Sequence, residues 1–598
     1  MSFRVWAPHA DLVSVAGDFN GWSRTATPLN KEGITGFWCR DVPGAAPGQR
    51  YAYVIGSKQF GAVIRRDPNG RVVTAAQDGA SVIYDPAAYS WKHNFTRPPL
   101  NKLVIYEMYV GTFNVSNSAP GTFQSAIAKL DDISSAGFNA VEVMPVTQFD
   151  GLYGNPYGPT DQFSVDNAAY DGPDNFKAFV DACHERGMAV IVDVVHNHWG
   201  PFDIPSFQFD GWQTDLYPGG IYYYDADKDT DPYDSPWGPR PNYSNPVVHN
   251  YILGQIAMWF AEYHADGLRW DSISNIYNTW GGGVGIDPHT EKRGVSLPDG
   301  RLLLRKVNSQ WPMAYKIAED LSFSRQQAAD TLPASQGGLG FDSQWNATLA
   351  YYIRKDFPQA SIPLADIVSG MTSTFNSDPR QSVAYFESHN ELSYSSTSRL
   401  IQLIDPENPT SRTARKKAIL AAALLFTIPQ VPMIFQGDEF LDTSWSNAKS
   451  HLDWTNAETW VGIHQFYADA INLRTDAAGR TPGLTDANLN IYQKDATNNI
   501  LVYDRYDGSN MGQDDVIVVA NLSSTVFDGN SHPQIKIGLP DGGSWNVVLD
   551  SDCQNYSTDF GNVGPTGPVQ AVKEAYAGQP YSATVPLGDY SVLMLTRK

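Results

Sequence analysis

The period of the apolar positions changes twice along the 598-residue chain. Residues 1–95 alternate with period two, as in Val13-Ser14-Val15-Ala16-Gly17 and Tyr51-Ala52-Tyr53-Val54-Ile55, and Asn20-Gly21 supplies a hairpin turn. This predicts an N-terminal β-sandwich. After a linker at Arg97-Pro98-Pro99-Leu100, short apolar runs alternate with stretches of helical spacing. The runs are 103–108, 140–145, 188–193, 267–271, 314–319, 338–342 (the weakest), 383–387 and 431–436. Residues 123–136, 173–186, 248–264 and 414–427 carry the helical pattern. Strands apolar on both faces with helices between them predict an α/β fold, a (β/α)8 barrel over residues 100–485. Period two returns in Ile500-Leu501-Val502-Tyr503 and Val516-Ile517-Val518-Val519-Ala520, predicting a C-terminal antiparallel β-sandwich over 486–598. The aromatic, Gly- and Pro-rich stretch 199–245 breaks the rhythm after the third strand. A connection that long is expected to cover a site.

Composition narrows the partners more than the fold. A formal charge of −22 argues against nucleic acid and anionic membrane, and a neutral polymer is indifferent to it. The 16 Trp and 31 Tyr can fill cores or stack on sugar rings, and Trp22, Trp38 and Tyr53 of the first domain are open to either role. Cys39, Cys183 and Cys553 lie far apart, so neither a disulfide framework nor a metal-ligand spacing is implied. Cys183, at an apolar helix position, reads as a buried thiol. With no basic-then-apolar leader and no apolar run of about 20 residues, a cytoplasmic location is expected.

The chemistry gathers at the ends of the predicted strands. Asp193, Asp271 and Glu319 close the third, fourth and fifth runs, and His389-Asn390 follows the seventh. In a barrel of this kind, catalytic groups project from the C-terminal strand ends. Alternation puts Arg269 and Asp271 on one side of a strand, where the cation can hold the carboxylate ionised and ready as a nucleophile. Glu319 has no cation beside it in sequence, so its pKa can rise for proton donation. Two such carboxyls, about 5–5.5 Å apart, suit a retaining glycosidase. His198 and His389 are placed to hydrogen-bond sugar hydroxyls. Asp193 either joins them or braces Arg269.

These residues carry a family resemblance. Asp193-Val194-Val195-His196-Asn197-His198, Gly267-Leu268-Arg269-Trp270-Asp271, Ile317-Ala318-Glu319-Asp320 and Glu387-Ser388-His389-Asn390-Glu391 resemble, in order and spacing, the four signature regions of the α-amylase family, glycoside hydrolase family 13. The resemblance implies Asp271 as nucleophile, Glu319 as general acid/base, and Arg269, His198 and His389 as ligands of the sugar in the cleavage subsite. It implies a stacking role for Tyr157 in Asn155-Pro156-Tyr157-Gly158-Pro159. Gly17-Asp18-Phe19-Asn20-Gly21-Trp22 is similar to the glycogen-binding-like module preceding branching enzymes, isoamylases and trehalohydrolases. Ile317–Leu321 and Phe435-Gln436-Gly437-Asp438-Glu439-Phe440 lean towards branching enzymes. Asn197 stands where calcium-dependent amylases place a calcium ligand, but branching-type members generally lack the ion. Neither a metal nor another cofactor is expected.

The departure is Asn390, where the family has a third carboxylate. The resemblance therefore implies cleavage of α-1,4-glucosidic bonds through a glycosyl-enzyme intermediate, with branching-type transfer ahead of amylase-type or trehalohydrolase-type hydrolysis. A glucan-binding protein with catalysis impaired at Asn390 is the alternative from another class. An α-glucan or maltooligosaccharide is the expected partner.

Overall fold

Strands apolar on both faces need cover on both faces, and here eight of them close on themselves. The computed structural model describes residues 1–597 except 75–78, 116–118, 152–154, 201–203, 228–231, 236, 280–293, 322–326, 395–397, 445–450 and 509–513. The barrel strands are β1 (Ile105–Met108), β2 (Ala140–Val143), β3 (Ala189–Val194), β4 (Gly267–Trp270), β5 (Tyr315–Ala318), β6 (Ser343–Asn346), β7 (Ser382–Ala384) and β8 (Val431–Phe435). Every neighbouring pair is parallel, and β8 pairs with β1 to complete the ring. Ile105, Ala140, Ile191, Ile317, Trp345, Val383 and Met433 pack together as one buried cluster. The helices α1 (Gly172–Glu185), α2 (Pro246–Ala261), α3 (Pro298–Gln310), α4 (Thr348–Asp356) and α5 (Arg412–Thr427) are among those joining the strands.

The sixth strand is a correction. Residues 338–342, where it was expected, form no strand but the irregular returning limb of a turn that begins near Asp330. Gly340 N and Leu339 N donate to Leu332 O and Asp330 O at 3.0 and 3.3 Å. A Cβ on Gly338 would lie 2.0 Å from Leu332 O, so only glycine fits. The strand begins at Ser343 and consists of Ser-Gln-Trp-Asn, all buried. The stretch 123–136 also departs from expectation, breaking into helices Phe123–Ile127 and Leu130–Ser135.

Two small antiparallel sheets form the N-terminal sandwich. Ser2–Trp6, Phe37–Asp41 and Asn30–Lys31 make one, and the other is built on Leu12–Gly17 and Arg50–Ser57. Trp38 and Tyr53 are buried in its core, Trp38 Nε1 donating to Ala7 O at 3.0 Å. Trp22 stays 37% exposed beside Arg50. The sandwich is clamped to the barrel by charge-assisted forks: Arg66 onto Asp161 at 3.0 and 3.0 Å, and Arg71 onto Glu262 at 2.9 and 2.6 Å. It also grips the long stretch after β3. His9 stacks on Trp212 at 4.5 Å, and Arg65 donates to the carbonyls of Gln208 and Phe209.

At the other end, a six-stranded sheet runs from Asn488–Asp495 to Val569–Ala571 and packs against the pair Ile535–Leu539 and Tyr581–Val585. The fully buried pair of Lys416 in α5 and Asp552 fixes this sandwich to the barrel. Cys183 is fully buried in α1.

Candidate active site

Register decides which strand ends meet. Asp193 of β3 lies opposite Arg269 of β4, and Arg269 opposite Ile317 of β5, two residues before Glu319. Arg269 is fully buried, and its Nη1 donates to Asp193 Oδ2 at 2.7 Å and to Asp271 Oδ1 at 3.0 Å. Its Nη2 stands 3.6 Å from Glu319 Oε2. One guanidinium thus gathers three carboxyls, while the Trp345 ring packs 4.3 Å from it. The pairing of Arg269 with Asp193 is compatible with bracing, one of the two roles left open for that aspartate.

Glu319 corrects the expectation that no cation attends it: the Arg269 guanidinium reaches it across the β4–β5 register. Its pKa is nevertheless raised to about 7, because burial and the Asp271 charge outweigh Arg269 and the hydrogen bond from Ser272 N. That bond is 2.6 Å long to Oε2, and Ser272 holds a left-handed φ of 41° to make it. Burial also lifts Asp193 to about 6, against Arg269.

Asp271 is positioned from the far side by Asn197, whose Nδ2 donates to its Oδ2 at 2.5 Å and to its carbonyl at 3.1 Å. The same amide's oxygen meets His198 Nδ1. The position compared above with a calcium ligand is therefore occupied in holding the candidate nucleophile. Burial depresses His198 to about 4 and keeps it neutral. Tyr157 donates to Asp193 Oδ2 at 2.7 Å, and its ring stacks on His389 at 4.9 Å. Asn390, at the start of the short helix His389–Tyr394, reaches Glu319 Oε1 with Nδ2 at 3.4 Å. All eight residues singled out from the sequence, Tyr157, Asp193, His198, Arg269, Asp271, Glu319, His389 and Asn390, fall into this one cluster.

Three further groups belong to it that the sequence reading missed. Glu107 of β1 accepts from His389 N at 3.1 Å and holds His389 Nδ1. Burial disfavours the His389 imidazolium, but Glu107 more than offsets this and raises its pKa. Glu142 of β2, opposite Glu107, is buried and pushed well above the usual carboxylate range by that burial. The signal for both was an acid inside a run apolar on both faces. Trp237, 37% exposed, lies 5.8 Å from the His198 ring and brings the long stretch after β3 to the site.

Family models match three parts of the chain: "Carbohydrate-binding module 48 (Isoamylase N-terminal domain)" over residues 1–73, "Alpha amylase, catalytic domain" over 105–208 and "Alpha amylase, C-terminal all-beta domain" over 491–598. Among curated proteins, 1,4-alpha-glucan branching enzyme GlgB of Myxococcus xanthus is 29% identical, covering 100% of this chain and 81% of its own. GlgB 2 of Xanthomonas campestris pv. campestris is 29% identical over 94% of this chain and 77% of its own. In domain order and over nearly its whole length the chain is similar to the α-amylase family and, within it, to proteins named branching enzymes. Among solved structures, type I pullulanase of Bacillus subtilis str. 168 complexed with maltose superposes with a TM-score of 0.75 at 17% identity, covering 100% of this chain and 84% of its own. Pullulanase of Bacillus acidopullulyticus gives 0.73 at 19%, covering 100% and 73%. These likenesses are of fold.

No helix among the described residues is long and apolar enough to cross a membrane.

Proposed function

We propose that the chain cleaves α-1,4-glucosidic bonds with retention and passes the glucan to a sugar hydroxyl, as a 1,4-α-glucan branching-type transferase. The observation that carries this is the convergence of Asp271 and Glu319 on Arg269, one held by Asn197 and the other by Ser272 N. Asp271 attacks the anomeric carbon while Glu319, with a pKa near 7, gives its proton to the departing glucosidic oxygen. The bond to the leaving oxygen breaks as the bond to Asp271 forms. Glu319, now ionised, then takes the proton of the incoming hydroxyl, and that oxygen displaces Asp271. Tyr157 offers its ring to the sugar at the cleavage point, with His198 and His389 as hydroxyl ligands and Arg269 and Asp193 holding the carboxyls in place.

Transfer and hydrolysis share this intermediate and differ in the acceptor. Transfer is favoured by the near full-length similarity to proteins named branching enzymes. Incubation with amylose separates the modes. Transfer yields α-1,6 linkages, read by NMR, without reducing ends; accumulating reducing ends with no new linkage would reject it. A glucan-binding role with impaired turnover draws its support from Asn390. Ordinary turnover by the chain as it stands eliminates that alternative.

A further inference from the structure

A second cavity opens beside the catalytic cluster, at the C-terminal end of β6. It has a volume of about 550 Å³ and is lined by Ala347, Thr348, Tyr351, Tyr352, Arg354, Lys355 and Glu391. That is within the range of ligand sites. The spacing of α4 makes one wall: Thr348, Tyr351, Tyr352 and Lys355 recur at i, i+3, i+4 and i+7 and so share a face. Tyr351 is 63% exposed on this nine-residue helix and meets Tyr352 edge-on at 5.2 Å. Glu391, the covalent neighbour of Asn390, also lines the cavity. The cavity therefore adjoins the cluster around Glu319 within one residue of chain, about 3.8 Å between Cα atoms.

Its charges are already matched. Arg354 donates to Glu387 at 2.7 Å and to the Ser398 carbonyl at 2.9 Å. Lys355 donates to Asp366 at 2.7 Å, and Glu391 accepts from the Ser388 hydroxyl. An ionic ligand would have to break one of these pairs, and an anion would also meet a chain of charge −22. The exposed Tyr351 ring and the half-buried Tyr352 ring, with Lys355 Nζ 5.8 and 5.4 Å from their centroids, suit a neutral ligand with apolar faces and hydroxyl edges.

We infer that this cavity is an additional subsite for an α-glucan chain, with Tyr351 as its stacking platform, serving the chain that meets the glycosyl-enzyme. The inference rests on the function proposed above and adds to it a place for the acceptor. Tyr351 is on the surface, so its replacement leaves the core untouched.

The test measures maltoheptaose in two ways: calorimetric binding to the full chain carrying Asp271→Asn, and KM and kcat for transfer by the otherwise unmodified enzyme. Tyr351→Ala is expected to weaken binding and raise KM by roughly tenfold each, with kcat unchanged and Tyr351→Phe indistinguishable from the parent. Unchanged binding and KM in Tyr351→Ala, with the parent active on glucan, overturn the subsite alone. A parent that neither binds nor converts maltoheptaose overturns the proposed function, and the subsite with it.

Discussion

Asn390→Asp changes one atom type at the edge of the cluster and is expected to change the rate strongly. Asn390 Nδ2 lies 3.4 Å from Glu319 Oε1, so an aspartate there faces the proposed catalytic acid at contact distance. Two unit charges about 4 Å apart interact by about 4 kcal/mol at an effective dielectric of about 20. Arg269, 3.6 Å from the other Glu319 oxygen, offsets part of this. The remainder acts twice. It opposes ionisation of Glu319, raising a pKa that already stands at about 7 by roughly one unit or more. It also attracts the positive charge that develops on the sugar, an effect comparable with one preorganised electrostatic contact, roughly 10²-fold in kcat. The sign for pH follows from the role of Glu319 as an acid. Activity is lost as pH rises through its pKa, so the alkaline limb of kcat/KM moves upward in the variant. The assay is initial rate on amylose between pH 5 and pH 10, by iodine absorbance and reducing ends. Unchanged kcat together with an unmoved alkaline limb would falsify the electrostatic argument.

Other perturbations separate positioning from chemistry. Glu107→Gln removes the charge that raises His389, so the imidazole pKa falls in an NMR titration while substrate KM rises. Arg269→Met leaves Asp193 buried without its cation, and the thermal or urea transition loses about 3–5 kcal/mol. Asp552→Ala, far from the site, removes the nearer carboxylate of the fully buried Lys416, leaving Asp589 at 3.7 Å, and costs about 1.5–3 kcal/mol in urea unfolding, with KM on any surviving folded enzyme unchanged. Gly338→Ala drives a methyl into Leu332 O and lowers the melting temperature through the turn that precedes β6.

The strand ends were legible because Asp193, Arg269, Asp271 and Glu319 lie inside or just after short apolar runs, whereas Tyr157 sits in a loop and came only from the resemblance. Arg269 and Asp271 needed only alternation, and the hydrogen bond between them is the one expected. The β6 strand was not legible, because Ser343, Gln344 and Asn346 are polar residues buried on both faces, and the preceding Gly-Leu-Gly-Phe imitates a strand while forming the returning limb of a turn. The hold of Glu107 on His389 spans 282 residues, which only the closure of the barrel brings together. For Glu319 the sequence pointed to a raised pKa with an incomplete reason. Burial raises it despite the cation that register delivers from the neighbouring strand.

The most direct measurement is covalent. Incubation with an activated fluorinated maltosyl fluoride, which forms a glycosyl-enzyme quickly and releases it slowly, is followed by digestion and mass spectrometry. The expected result is one glycosyl mass per chain on the peptide carrying Asp271, absent from Asp271→Asn. A label on Glu319, Glu142 or Asp193, or inactivation of the enzyme with no label at all, would contradict Asp271 as the nucleophile.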